Sequence, residues 1–143
     1  MRAMPLLPMT AEELLTTTRS GRKRLDLDRP VDLTLVREAL TTALQAPSGS
    51  NAQGWHFLVV TDPDRRAAIG DYYGRAVEEY LGSERSAARL HADVAERAAV
   101  QQRVGDSVAH LGRTMGRVPV LVVPCLRLPA GLPSGTQAGV WGS

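Results

Sequence analysis

Only two runs of this sequence have the composition of β-strands, and a long stretch of helical pattern separates them. Residues 55–61 are aromatic and β-branched, which predicts a buried strand. Residues 118–123 form a second apolar run with the composition of a central strand, and we expect Pro124 to mark its end or a bulge. Because two strands do not form an independently stable sheet, the sequence predicts an α/β fold of helices around a small, incomplete sheet.

The first two helices are predicted from their caps. Residues 11–15 follow Thr10 as N-cap, and Glu13 three residues later completes a capping box. A second helix begins after Asp32 and carries apolar residues at helical spacing. This helix is expected to end before Pro47, because a residue that precedes proline is disfavoured in helical conformation.

Two longer helices lie between the strand-like runs. Asp62 followed by Pro63 predicts a clean helix start, and Gly82-Ser83 predicts its end. The tyrosines of this helix belong to its apolar stripe and are interpreted as the edge of a core. An alanine-rich helix is expected to follow directly and to reach about Met115.

Composition excludes several classes of protein. The net charge of +2 does not by itself indicate a nucleic-acid partner. No run approaches the roughly 20 apolar residues of a membrane span, so we expect no membrane partner and a cytoplasmic location. Cys125 cannot form an intrachain disulfide and is interpreted as a buried, packed thiol. We expect residues 1–10 to be a flexible extension, residues 11–126 to form one domain, and residues 127–143 to form an irregular tail rich in proline, glycine and serine.

The basic segment (residues 18–24) combines guanidinium groups, a hydroxyl and a glycine directly after the first helix. Phosphate groups are bound by such donors, through bidentate charge, hydroxyls and free backbone N–H groups. A solvated basic loop and a nucleic-acid patch remain alternatives, because short basic clusters are common.

The polar loop (residues 46–54) places serines and amides in a tight turn just before the first strand. Such a turn offers hydroxyl, amide and backbone groups to the polar edge of a planar heterocycle or to an anion. A plain helix-to-strand connection made of ordinary turn residues remains the alternative.

Taken together, the two segments resemble the N-terminal signature of the nitroreductase family. The order R-S-x-R, a helix, and then A-P-S-x-x-N-x-Q-x-W-x-F is present from Arg19 to Phe57. The resemblance covers residues 11–126. Gly54 stands where the family commonly has proline, and Arg24 stands where many members have phenylalanine. The family's later strands, its C-terminal basic residues and its dimer-swapping extension are not present before Ser143.

The resemblance implies a flavin site and a redox activity. By this resemblance the first segment binds the FMN phosphate and the pyrimidine side of the flavin, while the polar loop reaches the flavin across a homodimer interface. The implied cofactor-binding residues are Arg19, Ser20, Arg22, Pro47, Ser48, Ser50, Asn51 and Gln53. Trp55, His56 and Phe57 are expected to be structural, with His56 packed in the strand and no metal site near it.

The activity implied by the resemblance is electron transfer from NAD(P)H through FMN to a nitroaromatic, quinone or similar small acceptor, with dehalogenation or flavin cleavage as narrower alternatives. No catalytic protein residue is expected, because the flavin carries the chemistry. One competing hypothesis is a truncated, inactive fragment with an exposed apolar sheet edge. Another is a small basic module that binds nucleic acid in a salt-dependent manner and carries no flavin.

Overall fold

The structure, a computed structural model, describes residues 8–90 and 92–127, which divide into two compact units. The first unit contains the described residues of 8–30 and 61–119, and the second contains residues 31–60 and 120–127. Most of the predicted N-terminal extension and nearly all of the predicted tail lie outside the described residues.

The order of elements confirms the predicted α/β class. The helices and strands are α1 (Ala11–Thr17), α2 (Leu33–Ala43), β1 (Trp55–Val60), α3 (Pro63–Gly82), α4 (Ala95–Thr114) and β2 (Leu121–Leu126). Single 3₁₀ turns lie at Arg22–Arg24, Gly49–Asn51 and Met115–Arg117. Within the described residues, no helix has the length and apolar character needed to cross a membrane.

Side-chain caps start the first three helices as the sequence predicts. The Thr10 hydroxyl accepts from the Glu13 N–H at 3.1 Å, and the Glu13 carboxylate accepts from the Thr10 N–H at 2.7 Å. Asp32 caps α2 through the Thr34 N–H at 2.8 Å, and Asp62 caps α3 through the Arg65 N–H at 2.9 Å. These contacts satisfy backbone donors that have no partner within the helix.

The prediction that the last helix begins directly after Ser83 is wrong. α4 begins at Ala95, and the described residues between α3 and α4 form turns. Local hydrogen bonds compete with a helix in this segment. The Ser83 hydroxyl donates to the Tyr80 carbonyl at 2.7 Å, and the Tyr80 hydroxyl accepts from the Ala87 N–H at 2.8 Å.

α3, α4 and the turn Met115–Arg117 pack closely in the first unit. A Cβ built on Gly70 would lie 2.5 Å from the Gly116 Cα, and a Cβ on Gly112 would lie 2.9 Å from Cγ1 of Val77. Glycine is therefore required where these backbones meet. The buried hydrophobic residues of this core are Val77, Ala87 and Val118. The Arg66 guanidinium ties α3 to the following chain by donating to the Val118 carbonyl.

β1 and β2 form a two-stranded antiparallel sheet in the second unit, from Trp55 opposite Leu126 to Val60 opposite Leu121. The prediction placed the second strand at residues 118–123, but β2 begins later and continues through Pro124. The Arg127 N–H donates to the Gly54 carbonyl at 2.9 Å, and hydrogen-bonded pairs alternate along such a ladder. Pro124 therefore lies in a non-hydrogen-bonded pair, where its missing N–H costs no ladder bond.

Residues 55–60 form the predicted strand, but the prediction that this strand is buried is wrong. His56, Leu58 and Val59 are exposed, and Leu58 is 58% exposed. A strand that is apolar on both faces needs a covering layer on each, and the described residues of the second unit contain a single α-helix. The prediction that His56 is packed is wrong for the same reason.

The predicted burial of Cys125 is also wrong, and the predicted core edge holds for Tyr73 and Tyr80 but not for Tyr72. Cys125 is half-buried, and its thiol donates to the Val123 carbonyl. Tyr72 is 69% exposed, although it lies on the stripe that was interpreted as a core edge. Its ring instead carries the guanidinium of Arg75, 4.6 Å from the ring centroid, one turn along α3.

We expect Gly70→Ala to lower the free energy of unfolding by about 1–3 kcal/mol, because the added methyl group meets backbone atoms that cannot move aside. The helix propensity of alanine offsets about 1 kcal/mol at most. Urea denaturation followed by circular dichroism measures the change.

Gly82→Ala is the matched control, because no atom lies within 4 Å of a Cβ at Gly82, the last residue of the same helix. Equal stability of the Gly70→Ala and Gly82→Ala proteins would contradict the close packing described for α3.

Candidate functional site

The C-terminus of α1 is closed by side chains and leads directly into the basic segment. The hydroxyls of Thr16, Thr17 and Thr18 each donate to a carbonyl four residues back. Nη1 of Arg19 donates to the Thr16 carbonyl at 2.9 Å and to the Thr18 carbonyl at 2.8 Å. Carbonyls at a helix C-terminus carry partial negative charge, so they hold this guanidinium in place.

A cavity of about 260 Å³ lies beside the basic segment, in the first unit. It is lined by Thr17, Arg19, Ser20, Gly21, Lys23, Arg24 and Ser107. Sites for whole drug-sized ligands measure roughly 300–1,000 Å³. The cavity therefore suits one charged end of a larger ligand.

Within the part of the chain that the structure describes, none of the basic side chains that line this cavity forms an ion pair with a carboxylate. The ion pair among the described residues joins Arg89 to Glu84, on the surface of the first unit and outside the cavity. Asp26, the acidic residue nearest in sequence, accepts instead from the N–H groups of Asp28 and Arg29, both at 3.2 Å. Positive charge, hydroxyls and a glycine backbone without a counterion form a donor set that fits a phosphate dianion.

The cavity includes two of the three residues predicted in the basic segment. Arg19 and Ser20 line it, whereas Arg22 is half-buried in the turn Arg22–Arg24 and is not among the lining residues. Ser107 on α4 lines the cavity and has no local sequence signal, because only the packing of the turn Arg22–Arg24 against α4 brings it there.

The capping box at the start of α1 also sets the titration of Glu13. Hydrogen bonds from the Thr10 backbone, and secondly from the Thr10 hydroxyl, favour the ionised carboxylate and lower the pKa of Glu13 below its ordinary value of 4.5. A lowered pKa in the folded state gives stability that is present above the ordinary pKa. That stability is lost as the pH falls through the lowered pKa.

The polar loop has an unusual backbone. Ser50, Asn51 and Gln53 have φ values of 52°, 52° and 47°, in the left-handed region that non-glycine residues seldom adopt. Strain of this kind often accompanies functional sites, and the surrounding structure must hold it in place. The sequence predicted a tight turn here, but without glycine at these positions it gave no signal for this backbone.

Hydrogen bonds around Ser48 hold this conformation. Its hydroxyl accepts from the Gln53 N–H at 2.9 Å, and its carbonyl accepts from the Asn51 N–H at 2.9 Å. Nε2 of Gln53 donates to Oδ1 of Asn51 at 3.0 Å, so the two amides lie side by side. Among the described residues, the Asn51 amide nitrogen and the Gln53 side-chain carbonyl have no partner and are open to a ligand.

Each compact unit carries one of the two predicted groups of cofactor residues. The first unit holds Arg19, Ser20 and Arg22. The second unit holds Pro47, Ser48, Ser50, Asn51 and Gln53. In the portion that the structure describes, no group of three or more histidine, cysteine, aspartate and glutamate side chains could hold a metal ion.

Comparison with known proteins matches the chain to a family model and to two reductases. The chain matches the model of the Nitroreductase family over residues 15–138. It is 38% identical over 86 residues to a 4-nitrobenzoate reductase of Nocardioides sp. (strain LMS-CY), an alignment that covers 54% of this chain and 35% of that protein. It is also 38% identical over 85 residues to a nitrobenzene nitroreductase of Ectopseudomonas oleovorans, with 57% of this chain and 35% of that protein covered. The matched region thus spans 35% of the length of both relatives. No solved structure matches the chain.

We expect Ser48→Ala to raise the exchange rate of the Gln53 amide hydrogen about fivefold, because a net hydrogen bond contributes about 1 kcal/mol. Amide hydrogen exchange measured by NMR detects this change at the single residue.

Ser50→Asn is the control, because asparagine tolerates a positive φ and the Ser50 hydroxyl has no hydrogen-bond partner in the described residues. An unchanged Gln53 amide in Ser48→Ala would show that this hydroxyl does not hold the loop.

Proposed function

Because the chain belongs to the nitroreductase family, we propose that it is an oxidoreductase that binds FMN and passes electrons from NAD(P)H to a small acceptor. The observation that carries the proposal is the cavity beside the basic segment, which collects cations and hydroxyls without a paired carboxylate. The relatives' names, 4-nitrobenzoate reductase and nitrobenzene nitroreductase, favour a nitroaromatic acceptor, with quinones and similar molecules as further candidates.

In this proposal the basic segment holds the phosphate of FMN. Arg19 is oriented by the carbonyls at the end of α1, and these contacts use Nη1 of its guanidinium. The remaining nitrogens of Arg19 and the hydroxyl of Ser20 are then available as donors to phosphate oxygens. Arg22 contributes positive charge from the adjoining turn.

The polar loop is proposed to bind the flavin ring. The polar edge of a planar heterocycle presents both acceptors and N–H donors, and the paired amides of Asn51 and Gln53 offer both kinds of partner. Pro47, Ser48 and Ser50 shape the loop that presents these amides. The strained backbone fixes the amides before the ligand arrives, which lowers the entropic cost of binding.

FMN supplies the redox chemistry when it is bound, so the protein's contribution is binding and orientation. Positive charge in the basic segment neutralises the phosphate, and the amides of the polar loop set the position of the ring. No nucleophile or general base of the protein is assigned to the reaction.

A homodimer and a cytoplasmic location belong to the same proposal. The second unit has a groove of about 370 Å³, lined by Leu33, Val36, Arg37, Leu40, Thr41, Leu44 and Val59. Leu33 and Leu44 remain 47% and 43% exposed. An exposed apolar patch of this kind is typical of a surface that pairs with another subunit. Pairing through this face would let the polar loop contribute to the partner's flavin site.

The direct test is to incubate the purified chain with FMN, remove free flavin and record the absorption spectrum. We expect retained flavin that NADH or NADPH bleaches under anaerobic conditions and that a nitroaromatic compound reoxidises. Removing two donors to a charged group in Arg19→Ala/Ser20→Ala should weaken FMN binding about 100-fold or more.

Arg65→Ala is the charge-matched control, because Arg65 is an exposed arginine on α3 outside the cavity. Equal FMN affinity of the control and the double variant would contradict the phosphate site. A folded chain that retains no flavin would favour the inactive-fragment hypothesis. Salt-dependent binding of nucleic acid by such a chain would favour the basic-module hypothesis instead.

A further inference from the structure

Ser107 is a half-buried hydroxyl in the middle of α4 that lines the cavity of the basic segment. Serine and threonine within helices commonly donate to the carbonyl four residues back. The hydroxyls of Thr16, Thr17, Thr41, Thr42 and Thr114 all do so here. The Ser107 hydroxyl has no hydrogen-bond partner among the described residues, so it is available to a ligand in the cavity.

Packing within the first unit makes this position part of the site. The turn Arg22–Arg24 contacts α4, and the cavity lies between this part of the basic segment and Ser107. The same cavity receives Lys23 and Arg24, neither of which has an ion pair in the described part of the chain. A ligand here therefore meets donors from two segments that are far apart in the sequence.

We propose that Ser107 donates a hydrogen bond to the phosphate of the bound flavin, with Lys23 as an added charge, and so selects FMN over flavins without a phosphate. The inference rests on the proposed function, because it assigns a further residue to the same site. A phosphate group presents three acceptor oxygens. If Arg19 and Ser20 each donate to one of them, the third oxygen is left for a further donor such as Ser107. A donor on α4 also ties the basic segment to the helix core when the phosphate is bound.

The test compares FMN with riboflavin, which has the same ring system and no phosphate. Flavin fluorescence titrations give the dissociation constants for the wild-type chain, Ser107→Ala and Ser107→Thr. We expect Ser107→Ala to weaken FMN binding about 10-fold to 100-fold and to leave riboflavin binding unchanged. Ser107→Thr keeps a hydroxyl and should bind FMN more tightly than Ser107→Ala but more weakly than wild type, because a helical threonine hydroxyl also donates to the carbonyl four residues back.

Alanine is the best helix former, so a loss of affinity in Ser107→Ala would not come from a weakened α4. Ser83→Ala is the matched control, since Ser83 belongs to the same unit and lies outside this cavity. The inference is wrong if Ser107→Ala binds FMN as the wild type does, or if it weakens FMN and riboflavin equally.

A wild-type chain that binds neither flavin would overturn the proposed function for this chain, and inorganic phosphate then tests Ser107 separately. A phosphate-dependent rise in the melting temperature of the wild type that is lost in Ser107→Ala supports the inference. An equal rise in both proteins, or none in either, overturns it.

Discussion

Backbone contact between α3 and the turn that follows α4 holds the first unit together. A Cβ on Gly70 would clash with the backbone of Gly116, a Cβ on Gly116 would lie only 3.1 Å from the Ala67 Cα, and the adjoining core contains few buried apolar residues. Close backbone packing therefore has to contribute the stability that a large hydrophobic core would otherwise give. The same contact fixes the position of α4, and α4 carries Ser107 to the basic segment. The candidate phosphate site thus depends on a contact between two glycines outside it.

The two candidate binding segments are held by local hydrogen bonds rather than by burial. Arg19 is fixed by the last carbonyls of α1, and the polar loop is closed around Ser48. Both arrangements leave polar groups open toward a ligand while their own backbones are satisfied. Such preorganisation favours binding because less conformational freedom is lost on association. It also explains how exposed segments can keep a defined geometry beside a small core.

Features governed by neighbouring residues could be predicted from the sequence, and features governed by distant packing could not. The caps at Thr10, Asp32 and Asp62 follow from residue type and spacing, and the structure has all three. The burial of β1 depends on layers outside the strand, so its composition alone gave the wrong answer. Pro124 could continue β2 because the register places it opposite Phe57 in a pair without ladder hydrogen bonds, where an N–H is not required. Only the register, and not the sequence, shows this. Ser107 could not be found at all, since only tertiary packing places it in the cavity.

The central claim is that the basic segment and α4 together bind a phosphate dianion. A phosphorus-31 NMR titration of FMN with the chain tests it most directly, because the phosphate itself is observed. The second pKa of a phosphomonoester is about 6, and neighbouring cations lower it. We expect the resonance of FMN in the presence of the chain to shift and to remain that of the dianion at pH values where free FMN is already protonated. A resonance that titrates like that of free FMN at saturating protein would contradict the account.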